Sequence, residues 1–320
     1  MINDHWSRKR QILALLSANH FTSGEAIATE IGLTRMAVNQ HIDALSDYGV
    51  EVFSVKGKGY KLANPIALVD EQALISGIDN RCFYFDEINS TNSFTLSHFD
   101  DLKSGDICIA EYQSAGRGRR GRQWLSPYGN HLYASLFWRF EANAVTLMGL
   151  SLVIACSIVK TLSEMNITGL GLKWPNDIYL DDKKLAGILI EVAKTEAQKT
   201  ALVIGFGINM SMSAAQGELI DQPWSDLASQ GALPDKTQLL ISLHSQLKSD
   251  IHTFSAHGLT PFIAFWNKHD LFANKSIKLL MAPNEVFGVC KGIDDQGAVL
   301  IEVNKEIKAY IGGEISLRGV

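Results

Sequence analysis

Hydrophobic residues recur at helical spacing in three short runs within the first 64 residues. The runs predict helices over 8–18, after a T-x-x-E capping box at 22–25, and over 35–46, with Thr34 as the cap of the third. The second and third helices are joined by a short turn that contains glycine. Such a pair is typical of a helix-turn-helix, which we place at about 23–42.

A hairpin with a basic tip is predicted to follow these helices, as the wing of a winged helix. The polar face of the third helix carries side chains that can read base edges, and the lysines of the tip can contact phosphate. The predicted DNA-contacting residues are Arg35, Asn39, Gln40, Lys56 and Lys58. A three-helix protein-docking module is the alternative, because seven Lys or Arg against six Asp or Glu leave this segment a net charge of only about +1.

The middle of the chain alternates β-type and helical runs, which predicts a mixed α/β domain. Predicted strands lie at 82–85, 106–112, 132–138, 178–180, 185–192 and 201–207. Predicted helices lie at 146–162, 234–257 and 261–272. We expect the glycine-rich stretch 205–210 to form a turn at the end of the last of these strands.

The last part of the chain changes to short β-type runs separated by turn residues, which predicts a small β-barrel. For residues 312–318, a structural closing strand is favoured over a functional role. The predicted fold class is therefore α+β in three parts. These are a winged helix-turn-helix over 1–64, a central mixed α/β domain over 67–270 and a barrel over 271–320.

Composition narrows the class of protein. A hydrophobic content of 46% over 320 residues is enough for a sizeable core. The net charge of −5 excludes bulk coating of nucleic acid, so any DNA contact must be local. The longest apolar run, 147–159, is too short to cross a membrane. The four cysteines form no C-x-x-C pair and no targeting segment is recognised, so a reduced, cytoplasmic protein is predicted.

An arginine- and glycine-rich stretch dominates the chemistry of the sequence. Residues 116–122 hold four arginines and three glycines with no acidic residue, so the stretch should be a cationic loop. Its G-x-G-x-x-G spacing is not read as a dinucleotide fingerprint, because the following residues 124–129 cannot open a helix. A solvated charge run and an anion-binding lid remain equally open at this point.

Three other groups of residues are candidates for a ligand site. Residues 89–92 are rich in helix-capping side chains and would leave backbone N–H groups for a ligand. A lysine and an aspartate flank Trp174-Pro175 within 172–177, and Lys184 begins a predicted strand from which it can point inward. Plain structural interpretations are also open: residues 90–92 could be only a helix cap, Trp124 a core residue and Lys184 a solvated hairpin lysine.

Taken together, these motifs resemble the biotin–protein ligase family. The resemblance is carried by four stretches in order, GRGRRGR at 116–122, KWPND at 173–177, KLAGIL at 184–189 and GIN at 207–209, and it covers essentially the whole chain. With a winged helix in front and a barrel behind, it is similar to the bifunctional members that also repress the biotin operon. It implies a central domain like that of class II synthetases and a C-terminal barrel of SH3 type.

The resemblance also implies an activity and its partners. Biotin and ATP would form biotinyl-5′-AMP, with Mg²⁺ accompanying ATP, and the biotinyl group would pass to a lysine of the biotin carboxyl carrier protein of acetyl-CoA carboxylase. The same adenylate would act as corepressor by favouring a homodimer on operator DNA. The arginine loop is expected to be mobile when empty and ordered around the adenylate, which would lower the entropic cost of pairing.

Site residues follow from the resemblance, position by position. The catalytic residues implied are Lys184, Lys173 and Arg119. The biotin-binding residues implied are Ser90, Thr91, Asn92, Gln113, Arg117, Gly118, Arg119 and Lys184. The residues implied for ATP and the adenylate are Arg117, Arg119, Arg122, Trp124, Lys173, Asp177 and Asn209. Trp124 would stack on adenine, Asp177 would point toward Lys173, and no metal would be held by protein side chains alone.

The sequence departs from this pattern at two places. Close relatives carry an arginine shortly after the Gly-x-Asn-Met turn, whereas Ser211-Met212-Ser213 has none, which puts one contact near adenine in doubt. Relatives also tend to have asparagine where this chain has His131. The alternatives are a lipoate ligase, which shares the fold, a ligand-sensing regulator without ligase activity, and a structural adaptor.

Overall fold

The structure is a computed structural model that describes residues 4–231, 233–281, 284–311 and 315–319. Its first part is a winged helix. The elements are α1 (Asp4–Leu15), α2 (Gly24–Ile31), α3 (Arg35–Asp43) and the antiparallel hairpin of β1 (Val52–Val55) and β2 (Gly59–Leu62). The predicted helix-turn-helix and wing are both confirmed.

The helix ends of this unit differ in detail from the prediction. Thr22 does not cap α2, because its backbone pairs with Tyr60 of the wing, and the cap is Ser23, whose hydroxyl accepts from the Ala26 N–H. Thr34 does cap α3. Helix α3 ends at Asp43, earlier than predicted, and a 3₁₀ turn continues it to Tyr48. Helix α1 lies earlier than 8–18, because the chain turns away after Leu15.

A seven-stranded mixed sheet forms the centre of the molecule. Its strands are β3 (Cys82–Ile88), β4 (Ile107–Gln113), β5 (His131–Phe140), β6 (Leu170–Lys173), β7 (Asp177–Leu180), β8 (Lys183–Glu196) and β9 (Lys199–Asn209). They are ordered β3-β4-β5-β9-β8-β7-β6, and β3 and β4 form the parallel pair. The predicted strands are present, most of them longer than expected, because cross-strand pairing extends beyond the apolar runs.

Helices cover both faces of this sheet. The central helices are α4 (Glu71–Gly77), α5 (Thr91–Ser97), α6 (Leu150–Glu164), the single turn α7 (Ala214–Gly217), α8 (Lys236–His257) and α9 (Thr260–His269). Alternate residues of β5 separate the layers: Leu136 packs in the main core with α6 and α8, whereas Phe137 packs with Leu96 of α5. The predicted start of α6 was wrong, because a 3₁₀ turn at 144–147 precedes it.

The stretch 205–210, predicted as a turn, is the end of β9 instead. Its residues pair with β5 and β8 as far as Asn209. The glycines serve close packing rather than a turn. An added Cβ would lie 2.1 Å from Asn92 Oδ1 at Gly205 and 2.7 Å from the Trp124 indole at Gly207.

The C-terminal part is a small antiparallel sheet. Its strands are β10 (Ser276–Met281), β11 (Asn284–Ile293), β12 (Val299–Val303), β13 (Glu306–Tyr310) and β14 (Ile315–Gly319), ordered β13-β12-β11-β10-β14. The predicted closing strand is confirmed for 315–319, which pairs with β10. Residues 312–314, at the start of that predicted segment, lie outside the described residues.

Both end units are joined to the centre by specific contacts. The Trp6 ring of α1 stacks on Tyr128 with centroids 4.0 Å apart, and Arg10 donates to Asp86 Oδ1 at 3.0 Å. We call this contact region the aromatic joint. On the other side, Trp174 Nε1 donates to the Gly297 carbonyl at 3.0 Å. In the part of the chain that the structure describes, no helix is long and apolar enough to cross a membrane.

Candidate active site

A pocket lies on the α5 face of the central sheet, between β5, β8 and β9, the arginine loop and the strap 173–177. Twelve of the thirteen residues predicted to bind biotin or ATP line it: Ser90, Thr91, Asn92, Gln113, Arg117, Gly118, Arg119, Arg122, Trp124, Lys173, Asp177 and Lys184. Six lining side chains are cationic, and Asp177 is the one carboxylate among the described lining residues. The pocket therefore suits an anionic ligand.

One end of the pocket is a cradle of polar side chains at the start of α5. Gln113 Oε1 accepts from the Thr91 N–H at 2.9 Å and from its hydroxyl at 3.2 Å. Ser135 on β5 donates to Thr91 Oγ1 at 2.7 Å, and Gln113 Nε2 donates to Ser126 Oγ at 3.1 Å. Because these groups fix one another, their orientation is set before a ligand enters.

The arginine loop is folded over the pocket and fastened at its two ends. The Gly118 N–H donates to the Arg122 carbonyl at 2.8 Å, and the Trp124 N–H donates to the Gly116 carbonyl at 2.9 Å. The loop leaves regular backbone at Arg120, whose φ is +59°. Arg120 adopts this left-handed conformation although it is not glycine, which is unusual for a long side chain.

Two arginines of the loop are held by side chains of the sheet region. Arg117 donates to Ser93 Oγ at 2.6 Å and to Glu191 Oε2 at 3.1 Å. Arg119 donates to Asn176 Oδ1 at 3.0 Å. Burial lowers the pKa of Arg119, opposed by the nearby Asp177 carboxylate, and the guanidinium remains charged at neutral pH.

The Trp124 indole lies on the glycines of two paired strands. An added Cβ at Gly207 would lie 2.7 Å from the indole, and one at Gly187 would lie 3.1 Å from it. Trp124 Nε1 is buried with no hydrogen-bond partner among the described residues. Lys184 Nζ lies 5.6 Å from the ring centroid, so the indole and this ammonium share one part of the pocket.

The two pocket lysines have different partners. Lys184 Nζ forms an ion pair with Asp177 Oδ1 at 2.9 Å. Lys173 Nζ contacts the Tyr179 hydroxyl at 2.9 Å and lies 5.0 Å from its ring centroid. The Asp177 carboxylate is thus paired with Lys184 in this structure, and its predicted orientation toward Lys173 stays a prediction.

Asn209 is the one predicted ligand residue that does not line the described pocket. Its Nδ2 donates to the Ser225 carbonyl at 3.0 Å and approaches the Lys184 carbonyl at 3.4 Å. The side chain thus joins the end of β9 to the start of β8 and to the chain after α7. Its predicted contact with the nucleotide stays a prediction.

Sequence reasoning missed several residues that fix the site. Glu191 contacts both Asn92 and Arg117, Asn176 holds Arg119, and Tyr179 contacts Lys173. A signal for Glu191 was present, because strand periodicity places it on the same face of β8 as Gly187 and Leu189. An acidic residue that continues a face of small and apolar residues is unusual in a central strand.

The predicted DNA-contacting residues lie on α3 and in the turn of the wing. Arg35, Gln40, Lys56 and Lys58 are exposed. Asn39 is also exposed, but its amide is used within the fold. Its Nδ2 donates to Asp43 at 2.7 Å and its Oδ1 accepts from the Tyr60 hydroxyl at 2.9 Å. A two-point contact of Asn39 with adenine would first require these bonds to break.

The side chains of the described residues form no group of three or more His, Cys, Asp or Glu able to hold a metal ion. Asp177 is the one carboxylate among the described residues that line the pocket, and its Oδ1 is paired with Lys184. A magnesium ion would therefore depend mainly on the phosphate oxygens of the nucleotide that brings it.

Known proteins match nearly the whole of this chain. Residues 83–209 match the model described as Biotin/lipoate A/B protein ligase family, residues 8–61 match an HTH domain, and residues 272–318 match the Biotin protein ligase C terminal domain. The chain is 43% identical over 309 residues to the bifunctional ligase/repressor BirA of Escherichia coli, with 96% of each chain covered.

More distant proteins agree with this match. The chain is 29% identical to the bifunctional ligase/repressor BirA of Bacillus subtilis over 97% of this chain and 98% of that one. The biotin protein ligase from Aquifex aeolicus in complex with biotin and ATP superposes with a TM-score of 0.65 at 27% identity, over 75% of this chain and 99% of that chain. From the fold, the pocket and these similarities together, the chain belongs to the biotin–protein ligase family, in its bifunctional ligase/repressor branch.

Proposed function

We propose that the chain uses ATP to activate biotin in this pocket and then joins biotin to a lysine of another protein. The proposal rests on one observation: six cationic side chains and one carboxylate line the same pocket as the polar cradle. An anionic acid must approach an anionic phosphate in this reaction, so positive charge has to be fixed in place beforehand. The A. aeolicus ligase whose structure holds biotin and ATP supports the same choice of substrates.

The first step forms the adenylate. A carboxylate oxygen of biotin attacks the α-phosphorus of ATP, and the bond to the bridging oxygen of pyrophosphate breaks, so that pyrophosphate leaves. Lys184, Lys173 and Arg119 are assigned to the charge that develops on the phosphate oxygens. The Asp177 carboxylate at 2.9 Å orients the Lys184 ammonium, and Mg²⁺ would accompany the phosphates of ATP and offset part of their negative charge.

The second step transfers the biotinyl group. The amine of a carrier lysine attacks the acyl carbon, the bond to the AMP oxygen breaks, AMP leaves, and the attacking nitrogen loses a proton. The biotin carboxyl carrier protein is the proposed acceptor. The Thr91, Gln113 and Ser135 cradle would orient the ureido ring of biotin, because that ring needs both donors and acceptors. Trp124 would contact the adenine ring.

The repressor half of the proposal rests on the winged helix and its exposed basic residues. Two adenylate-loaded chains would pair and place two recognition helices on a two-fold operator. Equal dimer constants with and without biotin plus ATP would contradict this coupling. The mobility of the empty arginine loop, the role of the adenylate as corepressor and a cytoplasmic location stay predictions, as do the domain boundaries at 64 and 270.

The test of the ligase proposal is labelling of a purified biotin carboxyl carrier protein with biotin and ATP. Lys184→Ala should lose roughly 100- to 1,000-fold in rate, as expected when one charge-stabilising donor is removed. Lys183→Ala is the matched control, because Lys183 is the neighbouring residue on β8 and is exposed. Wild-type turnover by Lys184→Ala would remove Lys184 from the mechanism.

Two alternatives are separated by the same assay. A lipoate ligase would label its carrier with lipoate in place of biotin, and the family model covers both activities. A ligand-sensing regulator would bind biotin and ATP without releasing pyrophosphate. The lysine and arginine side chains around the pocket favour the ligase, because ligand sensing alone does not require charge placed for phosphoryl chemistry.

A further inference from the structure

A glutamate behind the pocket connects two parts of the site. Glu191 on β8 accepts from Asn92 Nδ2 at 2.7 Å and from Arg117 Nη2 at 3.1 and 3.3 Å. Its side chain is 28% exposed, and it is not among the residues that line the described pocket. Glu191 can therefore act on a ligand only through its two partners.

These two partners belong to different segments. Asn92 lies in the first turn of α5, within the polar cradle, and it also contacts the Leu189 carbonyl at 3.3 Å. Arg117 lies at the start of the arginine loop and also binds Ser93 Oγ at 2.6 Å. One carboxylate on a strand that is paired through most of its length thus fastens both the cradle and the loop.

The two arginines lie in different electrostatic surroundings. Glu191 supplies the counter-charge to Arg117, whereas Arg119 contacts the Asn176 amide and lies near the Asp177 carboxylate. Arg117 is therefore the guanidinium through which Glu191 can hold the loop.

We propose that Glu191 is a positioning residue that holds the arginine loop closed over the adenylate, a role that rests on the proposed ligase function. A closed loop keeps water from the acyl carbon of the mixed anhydride. When the loop opens, water can attack that carbon, the bond to the AMP oxygen breaks, and biotin and AMP are formed. The adenylate can also leave intact. Either loss empties the site, and the enzyme consumes another ATP.

The test is pyrophosphate release with biotin and ATP in the absence of any carrier protein. Each competent site releases one pyrophosphate in a burst, so the burst amplitude counts correctly folded sites. The slower rate after the burst reports how often the adenylate is lost. For Glu191→Ala, the later rate divided by the burst amplitude should rise on the order of tenfold, because a pair of charge-assisted hydrogen bonds is removed.

Two further variants make the result specific. Glu191→Gln keeps the size of the side chain and one acceptor but loses the charge, so its rate after the burst should fall between wild type and Glu191→Ala. Glu196→Gln is the control, because Glu196 lies on the same strand and its pair with Lys194, at 2.6 Å, is on the surface. This control should match wild type in both phases.

The outcomes separate the two proposals. If the wild type shows no burst and labels no carrier, the ligase proposal fails and this one fails with it. If the wild type shows a burst and Glu191→Gln and Glu191→Ala both leak at the wild-type rate per burst site, only the role of Glu191 is overturned. A lower burst with an unchanged later rate per site would likewise contradict it, because that result marks a purely structural residue.

Discussion

Two lysine–carboxylate pairs of the central domain differ in what surrounds them. Lys236 and Glu111 are 2.5 Å apart with both side chains fully buried. The other oxygen of Glu111 accepts from the Val69 N–H at 2.7 Å and from the Tyr84 hydroxyl at 3.1 Å. Lys184 and Asp177 are 2.9 Å apart, with side chains 14% and 18% exposed, and both line the pocket.

The difference teaches how one kind of ion pair serves two purposes. The sealed pair has its hydrogen bonds supplied by the fold, so it can only hold α8 against β4. The pocket pair faces a space that a ligand can fill, so the Lys184 ammonium can also bind an anion of the ligand. The comparison predicts that the first pair controls stability and the second controls turnover.

The largest effect on stability is expected for Lys236→Met. The change leaves the Glu111 carboxylate buried without its counter-charge and should lower the free energy of unfolding by about 3–5 kcal/mol. Lys184→Met should lower it by less than about 1 kcal/mol, since solvent reaches that pair. Urea titration followed by tryptophan fluorescence measures both, and equal losses would remove the distinction between the pairs.

A second change should restore much of that loss. Glu111→Gln added to Lys236→Met removes the unpaired charge and keeps an oxygen for the Val69 N–H and the Tyr84 hydroxyl. We expect the double variant to recover about 2 kcal/mol relative to Lys236→Met alone. Glu111→Leu in the same background is the control and should recover less, because it leaves both donors without an acceptor.

A buried histidine beside the sealed pair should make stability depend on pH. Burial, together with the Lys236 charge, lowers the pKa of His131 to about 3. Above pH 6.5, His131 is neutral in both states and has no effect. Below pH 6.5, His131 binds a proton in the unfolded chain but stays neutral in the folded protein, so the free energy of unfolding falls as the pH is lowered. The fall is at most about 1.4 kcal/mol per pH unit and ends as the pH nears 3.

Substituting that histidine isolates its contribution. His131→Asn should flatten the fall in unfolding free energy between pH 6.5 and 5, measured as the difference between the urea curves of the variant and the wild type. Parallel pH profiles for the two proteins would show that His131 already takes up its proton in the folded state.

The smallest effect is expected at a surface pair. Lys199 and Glu141 are 2.9 Å apart, with side chains 67% and 76% exposed. Lys199→Ala should change the free energy of unfolding by less than about 0.5 kcal/mol and should leave carrier labelling unchanged. A loss approaching that of Lys236→Met would mean that burial is not what separates the pairs.

Sequence reasoning reached the elements of the site but not the pairing of its side chains. The hairpin pattern placed Lys184 at the start of a strand that faces the pocket, as the structure has it. It could not show that an irregularity between Ile178 and Tyr179 shifts the register of β7 against β8. Asp177 is the backbone partner of Lys173, yet its carboxylate binds Lys184.

Long-range contacts explain the other misses. Glu191 and Arg117 are 74 residues apart, and neither neighbourhood in sequence indicates the other. The glycines at 205 and 207 have a purely local interpretation as a turn until Asn92 and Trp124 are seen to pack against them. Local propensity determines where strands and helices form, whereas these contacts depend on how distant segments meet in the folded sheet.

The aromatic joint means that the spacing between the two half-sites of a DNA site depends on how the winged helix packs against the central domain. Trp6 lies flat on Tyr128, with an angle of 2° between the rings, so the winged helix packs against the central domain rather than being joined to it by a flexible linker alone. In a two-fold pair of chains, the recognition helices would then stand at one fixed distance and one fixed angle. Inserting a single base pair between half-sites would rotate one of them by about a tenth of a turn. A dimer whose recognition helices are fixed could then no longer contact both half-sites in the same way.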